Sequence, residues 1–153
     1  MVGLSAFEQQ APGCPLCAAP RTGVFAAAGG RVYYRCGRCL LTFVPPAERS
    51  SRATELATYR QHRNDPGDPR YDPGGELARV DRLLRPGGWL GVMTRMLTDD
   101  AGFARWWYRR DPTHVAFFRR ETMTWIARRF RWQAAFPGPT VALFHKPAPA
   151  HQA

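Results

Sequence analysis

Asp81-Arg82-Leu83-Leu84-Arg85-Pro86-Gly87-Gly88-Trp89-Leu90-Gly91-Val92-Met93-Thr94 runs from the end of a helix, through a turn, into a strand. Leu77, Val80, Leu83 and Leu84 fall three or four residues apart, the spacing that lines one helix face. Pro86 and the Gly87-Gly88 pair stop that helix. Trp89–Met93 is short, apolar and unalternated, which predicts a strand covered on both faces in a sheet packed between helices. Thr94 follows at its carboxyl end. In open α/β sheets, ligands bind beyond those ends.

Downstream, Asp99-Asp100 predicts the cap of a helix running to about Tyr108. Trp106 and Trp107 cannot both face one side of such a helix, so either one lies against a pocket or partner, or both are partly buried core. Asp111-Pro112-Thr113-His114 is the most polar cluster of this half. A His beside an Asp in a loop near a strand's carboxyl end can act as a general base or orient a substrate; it can equally be a hydrogen-bonded structural histidine. Met123, Ile126, Ala127 and Phe130 predict an amphipathic helix from Glu121 to Phe130. Strands are expected over Arg131–Phe136 and Val141–Phe144, joined by Pro137-Gly138-Pro139, and residues 147–153 read as a tail.

Upstream, residues 1–13 carry no pattern. Cys14-Pro15-Leu16-Cys17 and Cys36-Gly37-Arg38-Cys39 then form two C-x2-C pairs separated by 18 residues, the spacing of a four-cysteine zinc site. Two residues between thiolates let the chain turn tightly enough for both sulfurs to reach one tetrahedral ion, with Zn–S about 2.3 Å. Val24–Ala26 and Arg31–Tyr34 predict a hairpin turning at Gly29-Gly30, so residues 14–46 read as a zinc ribbon. Two disulfides are the alternative in an oxidising compartment, and a reactive thiol pair is another. Leu41–Val44 reads as a short strand ended by Pro45-Pro46. A helix is expected from Ala47 to about His62, leading into the loop-like Asn64-Asp65-Pro66-Gly67; 47–75 is thus helix and linker.

Leu84-Arg85-Pro86-Gly87-Gly88, with Phe103-Ala104-Arg105-Trp106-Trp107-Tyr108 and Asp111-Pro112-Thr113-His114-Val115, resembles the C-terminal half of class I S-adenosylmethionine-dependent methyltransferases, in a branch carrying an N-terminal zinc-binding segment. Tyr59, His62, Asn64, Asp65 and Pro66 are similar to a stretch of the same branch that leads into its first domain helix. The resemblance implies an N-terminal zinc ribbon followed, over residues 76–146, by a remnant of a Rossmann-like sheet: α+β or partial α/β, about three strands with flanking helices. It implies S-adenosylmethionine as cofactor, with Thr94, Asn64 and Asp65 as cofactor-binding candidates, Asp111 and His114 as catalytic candidates, and an unidentified methyl acceptor. The family's acidic-Gly-x-Gly-x-Gly loop and ribose-holding acid have no counterpart here, since no G-x-G lies between Val44 and Asp81. Only a residue lacking Cβ lets backbone approach a cofactor that closely, so impaired catalysis is expected. A non-catalytic zinc-ribbon binding or assembly module is the alternative.

The family's strand order would set Trp89–Met93, Val141–Phe144 and Arg131–Phe136 side by side. With earlier strands missing, the apolar Trp89–Met93 edge is expected to invite self-association. A net charge of +10 would ordinarily suggest nucleic acid. However, all but one of the 22 basic residues are Arg, scattered from Arg21 to Arg131, rather than gathered on one face. No run of eighteen apolar residues occurs, and Met1-Val2-Gly3-Leu4-Ser5 has no signal-peptide character, so a cytoplasmic protein without membrane contact is expected.

Overall fold

In the computed structural model, residues 11–49, 51 and 73–149 are described. They form two helices and two antiparallel sheets. The first sheet grows from a hairpin, β1 (Gly23–Ala28) and β2 (Arg31–Arg35). Gly29 and Gly30 turn between them at φ 60° and 74°, the positive values a two-residue hairpin turn of this hand requires. β3 (Thr42–Phe43) pairs with β2, and β5 (Ala116–Phe117) pairs with β3, so the sheet runs β1-β2-β3-β5. The ribbon therefore shares a sheet with a strand from the C-terminal half.

Strand alternation divides the work of β2. Tyr33 points into an aromatic cluster with Phe103 and Phe117, packed edge-to-face at centroid distances of 4.8 and 5.8 Å. Tyr34 points the other way, into a second core where Cys14, Cys36 and Cys39 meet Met123, Ile126, Trp132, Ala142 and Phe144. That second core joins the cysteine end of the ribbon to the other sheet.

The other sheet has the order β4-β7-β6, with β4 at Trp89–Met93, β6 at Gln133–Gly138 and β7 at Val141–His145. β4 and β6 both run antiparallel to β7 and hence parallel to each other, which requires a crossover. Helix α2 (Arg120–Phe130) supplies it, burying Met123, Ile126 and Ala127. It ends with Arg131 at φ 57°, and Trp132 donates its backbone N–H to Ala127 O at 2.8 Å. That left-handed stop turns Trp132 into the core. Helix α1 (Pro73–Leu83) packs Leu77, Val80 and Leu84 on the same core. Its Asp81 carboxylate accepts from Trp132 Nε1 (3.1 Å) and pairs with Lys146 Nζ (3.0 Å). The turn after α1 needs both its glycines. Gly87 sits at φ 77°, and a Cβ on Gly88 would lie 2.7 Å from Arg85 O and 2.9 Å from the Leu84 side chain. Gly87 N–H donates to Lys146 O, and Lys146 N–H to Gly88 O, fastening the turn to β7.

Several expectations are corrected. β4 is not covered on both faces: Leu90 and Val92 pack on the core, while Trp89 and Met93 are 63% and 86% exposed. An uninterrupted apolar run hides an ordinary alternating strand here, because its outward residues are apolar too. Leu83 is exposed, since it falls to one side of the stripe made by Leu77, Val80 and Leu84. No helix spans Asp99 to Tyr108; two 3-10 turns, Phe103–Arg105 and Trp107–Arg110, flank an extended Trp106. The reason is packing: Phe103, Trp106 and Tyr108 all enter one cluster, and an α-helix turns residues 106 and 108 to opposite sides. Asp100 caps nothing and pairs with Arg35 instead. β6 runs through Pro137-Gly138, with an irregularity between Ala135 and Gly138 that accommodates the missing N–H. Of the stretch expected as a helix over 47–62, a 3-10 turn, Pro46–Glu48, is described and residues 52–62 lie outside the described residues.

Candidate metal centre

Each C-x2-C pair folds into the same knuckle. Ala18 N–H donates to Cys14 O, and Cys14 N–H to Ala19 O; likewise Leu40 N–H donates to Cys36 O, and Cys36 N–H to Leu41 O, all at 2.9–3.0 Å. The residue after each second cysteine takes a left-handed φ, 54° at Ala18 and 60° at Leu40. For a residue with a Cβ that conformation costs about 1–2 kcal/mol. Both knuckles adopt it where the chain turns back on itself, so that the next carbonyl, Ala19 O or Leu41 O, accepts from the first cysteine's N–H.

The four Sγ atoms lie within 4.8 Å of one another, with Cys14–Cys39 and Cys17–Cys36 each at 3.5 Å. A tetrahedral ion with bonds of about 2.3 Å sets its sulfurs about 3.8 Å apart, so the cluster has the dimensions of a four-thiolate metal site. All four cysteines are free, and three are buried. Arg38 N–H points at Cys36 Sγ from 3.3 Å, a backbone donor suited to a thiolate. The sulfurs hold protons unequally. A hydrogen bond from the Cys39 thiol lowers Cys14 to about 5. The same bond pushes Cys39 upward, and burial raises Cys17 to about 11. A sphere closed by four cysteines leaves no position for a substrate.

Three of the other candidates, Thr94, Asp111 and His114, gather at the carboxyl end of β4, around a residue to which the sequence assigned no role. Thr94 Oγ1 lies 3.5 Å from the Tyr108 hydroxyl, and the His114 ring stacks on Tyr108 with centroids 3.9 Å apart. His114 Nδ1 lies 2.7 Å from Tyr108 O; a carbonyl only accepts, so Nδ1 carries the proton. Nε2 is 3.9 Å from Asp111 Oδ2, beyond hydrogen-bond reach. Asp111 Oδ1 instead accepts from the Thr113 backbone N–H and hydroxyl, at 2.9 and 2.7 Å. Thr94, Asp111 and His114 are thus brought together, with bonds that shape a loop rather than aim an acid–base pair at a shared target. A cavity of about 410 Å³ beyond the same strand end is lined by Met96, Leu97, Arg119, Phe136 and neighbours, and includes none of these three. Tyr108 was legible only as one member of the aromatic run 103–108. Asn64 and Asp65 lie outside the described residues. Gly74 and Gly75 belong to the first turn of α1.

No family model, curated protein or solved structure matches the chain. The fold and site define a mixed α/β protein whose two antiparallel sheets meet at a four-cysteine cluster with three of its members buried. Among the described residues, no helix is long and apolar enough to cross a membrane.

Proposed function

We propose that this chain is a zinc-braced binding and assembly module, built on a shortened methyltransferase-type sheet, that does not itself transfer methyl groups. The observation that carries the reading is the burial of Cys14, Cys36 and Cys39 in the core shared by the ribbon and the β4-β7-β6 sheet. Four thiolates at this size favour zinc. There the ion would supply folding energy, with Cys14, Cys17, Cys36 and Cys39 as its ligands. The methyltransferase relationship rests on Leu84–Gly88 leading into β4 and on the β4-β7-β6 order. The doubt about turnover rests on the absent glycine loop and on the bonding of His114 and Asp111 within their own loop.

Nucleic acid is the lesser reading. Arg35 and Arg119 are paired with Asp100, while Arg109 bonds backbone carbonyls of residues 103 and 104, so part of the positive charge serves the fold. Metal analysis of protein prepared reduced and without chelator should give about one zinc per chain, and calorimetric titration with S-adenosylmethionine should give no signal. Metal-free folded protein would sink the first half of the reading. Micromolar cofactor binding would sink the second.

A further inference from the structure

Among the described residues, the two sheets present four open edges, and three of them are blunted. β1 has a bulge between Val24 and Ala26, β6 carries Pro137 and its own irregularity, and β5 is two residues long. These are the devices by which sheets avoid pairing with other chains. β4 has none of them: it is five residues long, uncharged and in unbroken register with β7. Gly88 O accepts from Lys146 N–H and Thr94 N–H donates to Thr140 O, so residues 88, 90, 92 and 94 address β7. By antiparallel alternation, the backbone N–H and C=O groups of Trp89, Gly91 and Met93 point to the open edge.

We propose that this edge pairs with β4 of a second copy, antiparallel about a two-fold axis through Gly91, joining two three-stranded sheets into one of six. Trp89-Leu90-Gly91-Val92-Met93 is symmetric in character about Gly91, with a branched aliphatic residue on either side and a large apolar one beyond, and that is what selects a second copy over an unrelated strand. The two-fold register sets Trp89 against the partner's Met93 on the exposed face, an aromatic–thioether contact. It sets Leu90 against the partner's Val92 on the packed face and leaves Gly91 facing the partner's Gly91. Arg95 then falls opposite the partner's Gly87, so the pairing brings no Arg against Arg despite the chain's net charge of +10.

This inference rests on the reading of the chain as an assembly module and names its partner. Gly91 supplies the test, because a Cβ built there meets only Leu143 Cδ2, at an ordinary 3.7 Å, and the monomer has room for a longer side chain. Across the two-fold, Gly91→Glu faces itself, as does Gly91→Lys. Sedimentation of the full, zinc-loaded chain should show a dimer. Each variant alone should weaken it by roughly tenfold or more, and mixing the two should restore it. Unchanged zinc content and melting temperature would show that both variants are folded. A wild-type chain that stays monomeric at every accessible concentration overturns the proposal, whether its Trp89, Gly91 and Met93 amides exchange freely or are covered by its own chain. A dimer indifferent to both variants overturns it too. Either result leaves the zinc reading standing, whereas zinc-free protein defeats that reading by itself.

Discussion

Arg35 grips Asp100 with both arms of its guanidinium, at 2.6 and 2.8 Å, while its Cζ lies 3.5 Å from the centre of the Phe25 ring and its Nε donates to Thr42 Oγ1. One side chain thus ties three parts of the ribbon sheet to the loop that enters the aromatic cluster. Planarity makes this possible, since a guanidinium can stack and form a bidentate pair at once. Arg35→Lys should lose both features and destabilise the protein more than Asp100→Asn, which forfeits about 1 kcal/mol or less because the carboxylate is half exposed. Chemical denaturation of the two variants compares them directly.

That pair also sets an acid limb. Arg35, and more weakly Arg119, hold the Asp100 carboxyl below its ordinary 3.8. A carboxyl lowered in the folded state contributes stability that is complete above its unfolded value and is lost as pH falls through the folded one. Wild-type protein should lose stability below about pH 4 more steeply than Asp100→Asn. Melting temperatures measured between pH 5 and the acid limit would reveal parallel curves if the pair contributes nothing.

Zinc uptake should release protons and weaken as pH falls. Cys14, lowered to about 5, is already a thiolate at neutral pH. Cys17, raised to about 11, and Cys39, raised further, must give up protons to bind. Affinity should therefore rise steeply from pH 6 to 8, with proton release measurable from the buffer dependence of the calorimetric heat. Cys36→Ser should abolish tight binding and loosen both sheets together, because Cys36 lies in the core they share. Loss of ribbon signals alone would contradict that coupling.

Phe103→Ala should cost about 3–5 kcal/mol, since Phe103 is fully buried against Tyr33, Phe25 and Phe117. Trp107→Ala, at a position 58% exposed, should cost much less despite removing a larger ring. Equal costs would mean that Trp107 is as much core as Phe103.

Ala18→Gly relieves a left-handed conformation at an exposed knuckle position. The relief of about 1–2 kcal/mol is partly offset by about 0.5–1 kcal/mol of extra unfolded-chain freedom, so stability should be unchanged or slightly raised. A clear fall in melting temperature would show that the Cβ is used in packing.

The cysteine cluster, the hairpin at Gly29-Gly30, the α1–turn–β4 passage and the α2 helix were legible because each depends on local chemistry: ligand spacing, glycine conformations, helical period. The pairing of β3 with β5 was not, since two-residue strands have no period to read and are specified by their neighbours. Nor was the break of 99–110 into 3-10 turns, where aromatic packing outweighs a plausible cap. Trp89–Met93 shows the division within one element. Its residues alone make it a strand, but which face and which edge it leaves open depends on what the rest of the chain brings beside it, and among the described residues that strand is β7.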